Sequence, residues 1–270
     1  MNIDVASGAT LTEKLPILDY VYTGATKVYS IVKSGAGTAV FFATNTYSGG
    51  TTLQAGTLEV AAYTNLPTTG ALTFSGGVLR VTGTTFTNLN GYNVSWISKG
   101  GGFDVAHADN LLTVTNTLSG SGGLNKLGAG TLMLTGQNTY SGDTTNSMGL
   151  LRLASSSAVS NSTVIMDGGD LEFATSAGTN ITLGGLANTV AGLQSEVKLS
   201  NDMGQAIALT LGSKGDTINY AGIFSGSGSL IKKGNGVLTL AGTNTYTGAP
   251  GLWGKLCLSL KQTIYLFRVG

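Results

Sequence analysis

The sequence predicts an all-β chain wound as a parallel β-helix, a β-solenoid of about 20 residues per coil. Three observations lead there. The first is composition. Of 270 residues, 42 are Gly, 38 Thr, 24 Ser and 18 Asn, together 122. Thr favours half-buried pleated positions, while Gly, Asn and Ser favour turns. The second is a 17-residue block that occurs three times without gaps: KSGAGTAVFFATNTYSG (33–49), KLGAGTLMLTGQNTYSG (126–142) and KKGNGVLTLAGTNTYTG (232–248). The third is a shorter period inside the long one. Leu132, Leu151 and Leu171 recur 19 and 20 residues apart, and Ala39, Leu58 and Leu79 recur 19 and 21 apart. One strand and one Gly or Asn turn per such step is a coil that cannot bury its own apolar face, so neighbouring coils must bury it.

The elements follow in chain order. Residues 9–22 (ATLTEKLPILDYVY) come nearest to a helical pattern, and Pro16 interrupts it. Stacked strands are expected from about residue 24 to 249, about 12 coils in all, with almost no helix. The first repeat block covers 33–61, the second 120–154 and the third 226–249. Thr57–Val60, Val78–Val81 and Asp170–Phe173 alternate polar and apolar residues. That alternation sends Leu58, Leu79, Leu132, Leu151, Leu171 and Leu238 into the core, and Glu59, Arg80, Arg152 and Glu172 outward. Each block closes on Asn-Thr-Tyr. Asn45, Asn138 and Asn244 are expected to fix local turns, and each Tyr to cover a neighbouring coil. Residues 1–250 thus form the repeat region. Residues 251–270 (GLWGKLCLSLKQTIYLFRVG) abandon the pattern and hold the only Cys. This tail is expected to leave the solenoid register and to cover its end poorly, with Leu256–Leu260 and Ile264–Phe267 as sticky segments.

Composition excludes several functions. Net charge is +1 and charged residues make up 10%, which gives no field for nucleic acid. One Cys excludes a disulfide framework, and one His a multi-histidine metal site. The opening Met1-Asn-Ile-Asp has no basic or apolar leader character, so no signal peptide is expected on this chain. No apolar run approaches the roughly 20 residues of a membrane-spanning helix.

Candidate chemistry is sparse. Asp167, Asp170 and Glu172 form the densest acidic cluster, and paired carboxylates can cleave glycosides. The better reading is one turn residue and two outward strand positions, matching Val78 and Arg80 in the other copy. His107, between Asp104 and Asp109, reads as a loop residue. Cys257 has no His nearby to activate it. Gly128-Ala129-Gly130 lacks phosphate-loop spacing, and Lys214-Gly215-Asp216 reads as a turn. Lys33, Lys126 and Lys232, which open the blocks, are read as solvated lysines that deter edge pairing. No catalytic, cofactor-binding or metal-binding residue is assigned.

The motif G-x-G-x-L-x-K-x-G-x-G-T-L-x-L-x-G-x-N-T-Y-[ST]-G-x-T-T, clearest over 120–145, resembles the autotransporter-associated β-strand repeat of passenger domains in bacterial type V secretion. Residues 226–248 follow it closely, and 33–60 follow it apart from Ala39-Val40-Phe41-Phe42. The resemblance implies a right-handed parallel β-helix at the cell surface or outer membrane, or secreted. It implies adhesion, aggregation or a stalk as the role, without catalysis or cofactor. The partners it implies are surface molecules or glycans of host or neighbouring cells. Neither the family's leader nor its membrane barrel is expected on this chain, and after Gly248 it reads Ala-Pro-Gly where the repeat calls for Gly-Thr-Thr. A gene fragment is therefore expected, without direct membrane insertion of its own. The alternatives are a β-helix carbohydrate-active enzyme, against which 13 acids scattered singly argue, and a non-functional remnant.

Overall fold

Thr, Val and Leu in four-residue alternating runs, broken by Gly at positive φ, give strands too short to stand alone. Their stability comes from stacking. The computed structural model describes residues 1–22, 24–188 and 195–249, and the backbone of the strands Gly251–Leu252 and Lys255–Leu258. The chain is a β-solenoid of about 10 turns with about 21 residues each, slightly fewer and longer coils than the sequence suggested. Among the described residues there is no α-helix, only two three-residue 3₁₀ turns, Tyr63–Asn65 and Thr175–Ala177.

A twelve-stranded sheet runs from Thr10–Glu13 to Gly251–Leu252. A five-stranded sheet flanks its first part, from Asn2–Asp4 through Ile31–Ser34 to Asn93–Trp96. A six-stranded sheet flanks its later part, from Leu111–Val114 to Ile223–Ser225. Three further strands, Ile218–Tyr220, Val237–Leu240 and Lys255–Leu258, form a short sheet at the far end. Pairing between strands is parallel throughout the described residues, except in one hairpin, Tyr20–Tyr22 with Ala25–Lys27.

The register follows the sequence period. Ala39, Leu58, Leu79 and Phe103 are successive ladder partners, as are Leu112, Leu132, Leu151 and Leu171. All eight are buried, and so is Leu238. Glu59, Arg80, Arg152 and Glu172 do point outward, but they are half-buried rather than open, because outward neighbours one coil apart cover each other. Arg80 sits between Glu59 and Asp104, 3.6 Å from each, in one cross-coil ladder.

The two ends differ from expectation. Stacking begins at residue 2, not 24: Asn2–Asp4 pairs with Ile31–Ser34 and Thr10–Glu13 with Thr38–Phe41. The N-terminal stretch lacks the repeat glycines, yet its Ile3 and Val5 alternate inward, and backbone pairing asks no more than that. At the other end Ile231 pairs with Gly251 and Leu238 with Leu256, so the ladder runs on past residue 250 in parallel register. Backbone pairing is indifferent to the lost Gly-Thr-Thr motif. Residues 259–270, including most of the expected sticky segments, lie outside the described residues.

One coil breaks the rhythm. Strands of the five-stranded sheet begin at residues 31, 51, 71 and 93, but the next strand bearing a block lysine begins at 124 in the twelve-stranded sheet, so the stretch from 93 to 124 holds one turn and one side more. It carries three strands, Asn93–Trp96, Gly101–Val105 and Leu111–Val114, one in each long sheet. Gly101–Val105 pairs back to Val78–Val81 and forward to Leu124–Leu127. Lys33 therefore sits in the five-stranded sheet, whereas Lys126 and Lys232 sit in the twelve-stranded one. The interior at this crossover is filled by Phe74, Trp96 and Phe103, with ring centroids 4.9, 5.0 and 5.9 Å apart.

Candidate functional site in the repeat block

The block begins where a Lys strand turns into the next strand through Gly-x-Gly. Gly128 has φ +74°, and a Cβ there would lie 2.3 Å from the Val105 carbonyl of the preceding coil. Gly130 is equally tight against the His107 carbonyl, at 2.3 Å. Glycine lets consecutive corners stack at this distance, and the corner carbonyls are then turned away from both ladders.

The block lysines meet those carbonyls. Lys33, Lys126 and Lys232 are fully buried, which overturns their reading as solvated edge residues. Alternation explains it: each stands two residues after an inward Ile31, Leu124 or Leu230. The stem packs in the core column and the ammonium folds back to the corner. Lys126 Nζ donates to the carbonyls of Leu127 (2.9 Å), Gly128 (2.7 Å) and, one coil on, Met148 (2.8 Å). Lys33 Nζ repeats the pattern on Ser34 (2.6 Å), Gly35 (2.8 Å) and Ala55 (3.1 Å). Lys232 donates to Lys233 and Gly234. At Lys33 and Lys126 three donors meet three corner carbonyls, and the third bond ties one coil to the next.

Burial pulls the Lys126 ammonium down to about 8, and nearby Asp104 opposes the shift. Burial lowers Lys33 and Lys232 as well, with Asp4 opposing at Lys33. A lysine lowered from 10.5 to about 8 makes the folded state release a proton that the unfolded chain keeps. The wild type's stability therefore sits on its lower plateau below pH 8 and rises as pH goes from about 8 towards 10.5. The stability margin of wild type over Lys126→Met is expected to widen across that window in denaturant melts. A margin that narrows instead would show that folding raises the Lys126 pKa rather than lowering it.

The closing Asn-Thr-Tyr is a second clasp. Asn138 Oδ1 accepts the Leu118 N–H at 2.9 Å, and its Nδ2 donates to the Ala158 carbonyl at 2.9 Å, so one side chain joins three coils. Asn45 does the same with Ile17 and Asn65, and Asn244 accepts the Phe224 N–H. The expected local turn role is thus also an inter-coil role. Tyr47 and Tyr140 turn into the core instead of covering a neighbour, each with its hydroxyl 2.6 Å from Thr51 or Thr144. Burial pushes the Tyr47 phenol up to about 12. Tyr246 stays half-buried, edge-on to Phe224.

The candidate catalytic residues do not converge. Asp170 and Glu172 alternate outward on one strand beside Glu196 and Lys198, lining a shallow groove of about 390 Å³. Asp170 Oδ1 is engaged by the Glu196 N–H at 2.8 Å, and Glu172 stands opposite Arg152 in the ladder. Asp167 is in the connection between strands. His107 is exposed in the turn after Gly101–Val105. Lys214-Gly215-Asp216 is an exposed loop whose Lys reaches Thr163 Oγ1 at 3.4 Å. The backbone of Cys257 pairs with Thr239 in the end sheet. Among the described residues no three His, Cys, Asp or Glu side chains gather as a metal ion would require. The side chains that sequence reasoning missed are inward polar ones, the three lysines with Asn65, Asn110 and Asn146. Strand alternation was the available signal for the lysines.

A stacked parallel coil held by buried Lys and Asn clasps, with polar faces and scattered charges, defines a structural repeat of the passenger type. Three segments, 31–60, 124–145 and 230–249, match the passenger-associated-transport-repeat model, and the chain is an autotransporter passenger repeat region. It is 34% identical over 233 residues to the adhesin BmaC autotransporter of Brucella suis biovar 1 (strain 1330), an alignment covering 80% of this chain. The chain spans 6% of that relative's length. No solved structure matches.

Proposed function

We propose that this chain is a non-catalytic section of a surface-displayed passenger, acting as a stalk whose outward faces adhere to molecules or glycans on other cells. The coil clasps carry the reading: the invariant part of each block is spent on internal carbonyls, which leaves the outward strand positions free to vary. The similarity to an autotransporter named as an adhesin supports display at the cell surface or outer membrane and adhesion. The singly placed, engaged carboxylates favour this over glycoside cleavage. The test is attachment of bacterial or epithelial cells to beads carrying the purified chain, against beads carrying an unrelated β-solenoid of equal length. Attachment several-fold above that control is expected. Equal attachment would reduce the role to a spacer, and release of reducing sugar from a polysaccharide panel would overturn the non-catalytic reading.

A further inference from the structure

An asparagine followed by glycine can turn its side chain on its own backbone, because glycine has no Cβ to obstruct the approach to its nitrogen. The chain holds two such pairs, Asn90-Gly91 and Asn235-Gly236, in opposite settings. Asn235-Gly236 lies in the corner after Lys232. A Cβ on Gly236 would fall 2.2 Å from the Asp216 carbonyl oxygen and 2.6 Å from the Thr217 nitrogen, so the preceding coil walls that segment in. Asn90 and Gly91 are both exposed, and a Cβ on Gly91 would meet nothing nearer than the Thr68 methyl at 3.9 Å. The turn is pinned on either side of Gly91. The Leu89 N–H donates to the Thr113 carbonyl at 3.2 Å, the Asn90 N–H to Asn88 Oδ1 at 2.9 Å and the Tyr92 N–H to the Leu89 carbonyl at 3.1 Å. The Gly91 N–H has no acceptor among the described residues. Asn88 bridges to Thr113 one coil on, and from that coil the Thr115 hydroxyl donates to Asn90 Oδ1 at 2.9 Å.

We propose that Asn90 is a self-modification site, where the Gly91 backbone nitrogen displaces the side-chain amide with help from the Thr115 hydroxyl. The nitrogen gives its proton to solvent base and bonds to Asn90 Cγ. The Cγ–Nδ2 bond breaks, and the amide takes up a proton and leaves as ammonia. A succinimide ring remains, and water opens it at either carbonyl. Addition at Cγ gives aspartate. Addition at the main-chain carbonyl of residue 90 gives isoaspartate, whose backbone runs through Cβ and Cγ and is one atom longer. No oxidant or cofactor enters. Each feature of the turn serves this step. The free Gly91 N–H gives up no hydrogen bond when it reacts. Open space lets the carboxamide swing onto the nitrogen. Thr115 donates to the oxygen that carries the negative charge of the tetrahedral intermediate. The product sets a new charge and a longer main chain just before Asn93–Trp96, the end strand of the five-stranded sheet.

The full chain, kept folded in mildly alkaline buffer, is sampled over days and cut with trypsin, which places Asn90 in fragment 81–99 and Asn235 in fragment 234–255. Tandem mass spectrometry locates the mass gain of amide-to-acid conversion, and isoaspartyl methyltransferase labels the isoaspartate. Asn90 is expected to convert about tenfold or more faster than Asn235. In guanidinium the two rates should draw level, because the fold makes the difference. Thr115→Val should slow Asn90 several-fold. Asn90→Gln, which would need a larger ring, should remove the label from fragment 81–99. Circular dichroism checks that each variant keeps its β-structure. An Asn90 that converts no faster than Asn235 in the folded chain overturns the inference. A label that persists in Asn90→Gln overturns it too, by placing the reaction at Asn88 or Asn93. An unchanged rate in Thr115→Val overturns the part given to the hydroxyl.

Discussion

Lys126→Met is expected to lower the unfolding free energy by about 3–5 kcal/mol. Methionine keeps most of the stem's volume, so little packing is lost. What disappears is the donor. The carbonyls of Leu127, Gly128 and Met148 converge on one ammonium at 2.7–2.9 Å, and the glycine corner that presents them is walled by the preceding coil, with no room for water to move in easily. Each acceptor left bare in such a place costs about 1–3 kcal/mol. Desolvation of the lysine, evident in its pKa near 8, offsets part of this, because methionine carries no charge to bury. The figure is the balance of those terms. Urea melts followed by circular dichroism at pH 7 would measure it. A loss under about 1 kcal/mol would mean that the carbonyls find other partners and that the lysine is a passenger of the motif rather than its clasp.

Leu151→Ala should cost about 2–5 kcal/mol. Leu151 has no exposed surface and lies in the column between Leu132 and Leu171, each its direct ladder partner. Parallel ladders hold the coils at a fixed spacing of about 4.8 Å, so the column cannot close over the void. In a solenoid the damage is local, since each coil touches only its neighbours. Hydrogen exchange should therefore quicken first in Thr131–Leu134, Leu150–Leu153 and Asp170–Phe173, while coils before residue 81 keep their protection. A penalty below about 1 kcal/mol would place Leu151 on the wrong face.

How far the sequence could be read depended on which force decided each position. Leu58, Leu79, Leu132, Leu151 and Leu171 were legible because a period of two and a period near 20 coincide on them. The lysines followed the same period of two, but their charge argued for the surface. That argument fails because the acceptors that satisfy them are main-chain carbonyls, which no side-chain pattern reveals. The asparagines were recognised as turn-formers, yet their bonds to coils 20 residues away are visible only once the stacking is known. The strands at Asn2–Asp4 and Thr10–Glu13 carry none of the repeat's glycines and were missed for that reason. Conversely, the outward placement of Asp170 and Glu172 was legible, because positions two apart on a repeat strand face the same way.

The extra side between residues 93 and 124 acts like the throw in a crankshaft. Block one is set 93 residues before block two, and block two 106 before block three. Only the second interval brings the block lysine back to the same sheet. Angular position, not distance along the axis, is what the extra strand alters. A flat surface laid along the side that carries Lys126 and Lys232 meets equivalent corners of blocks two and three, and on block one it meets the strand after the corner instead. Three copies of one motif thereby present two different profiles to anything that approaches from a single direction.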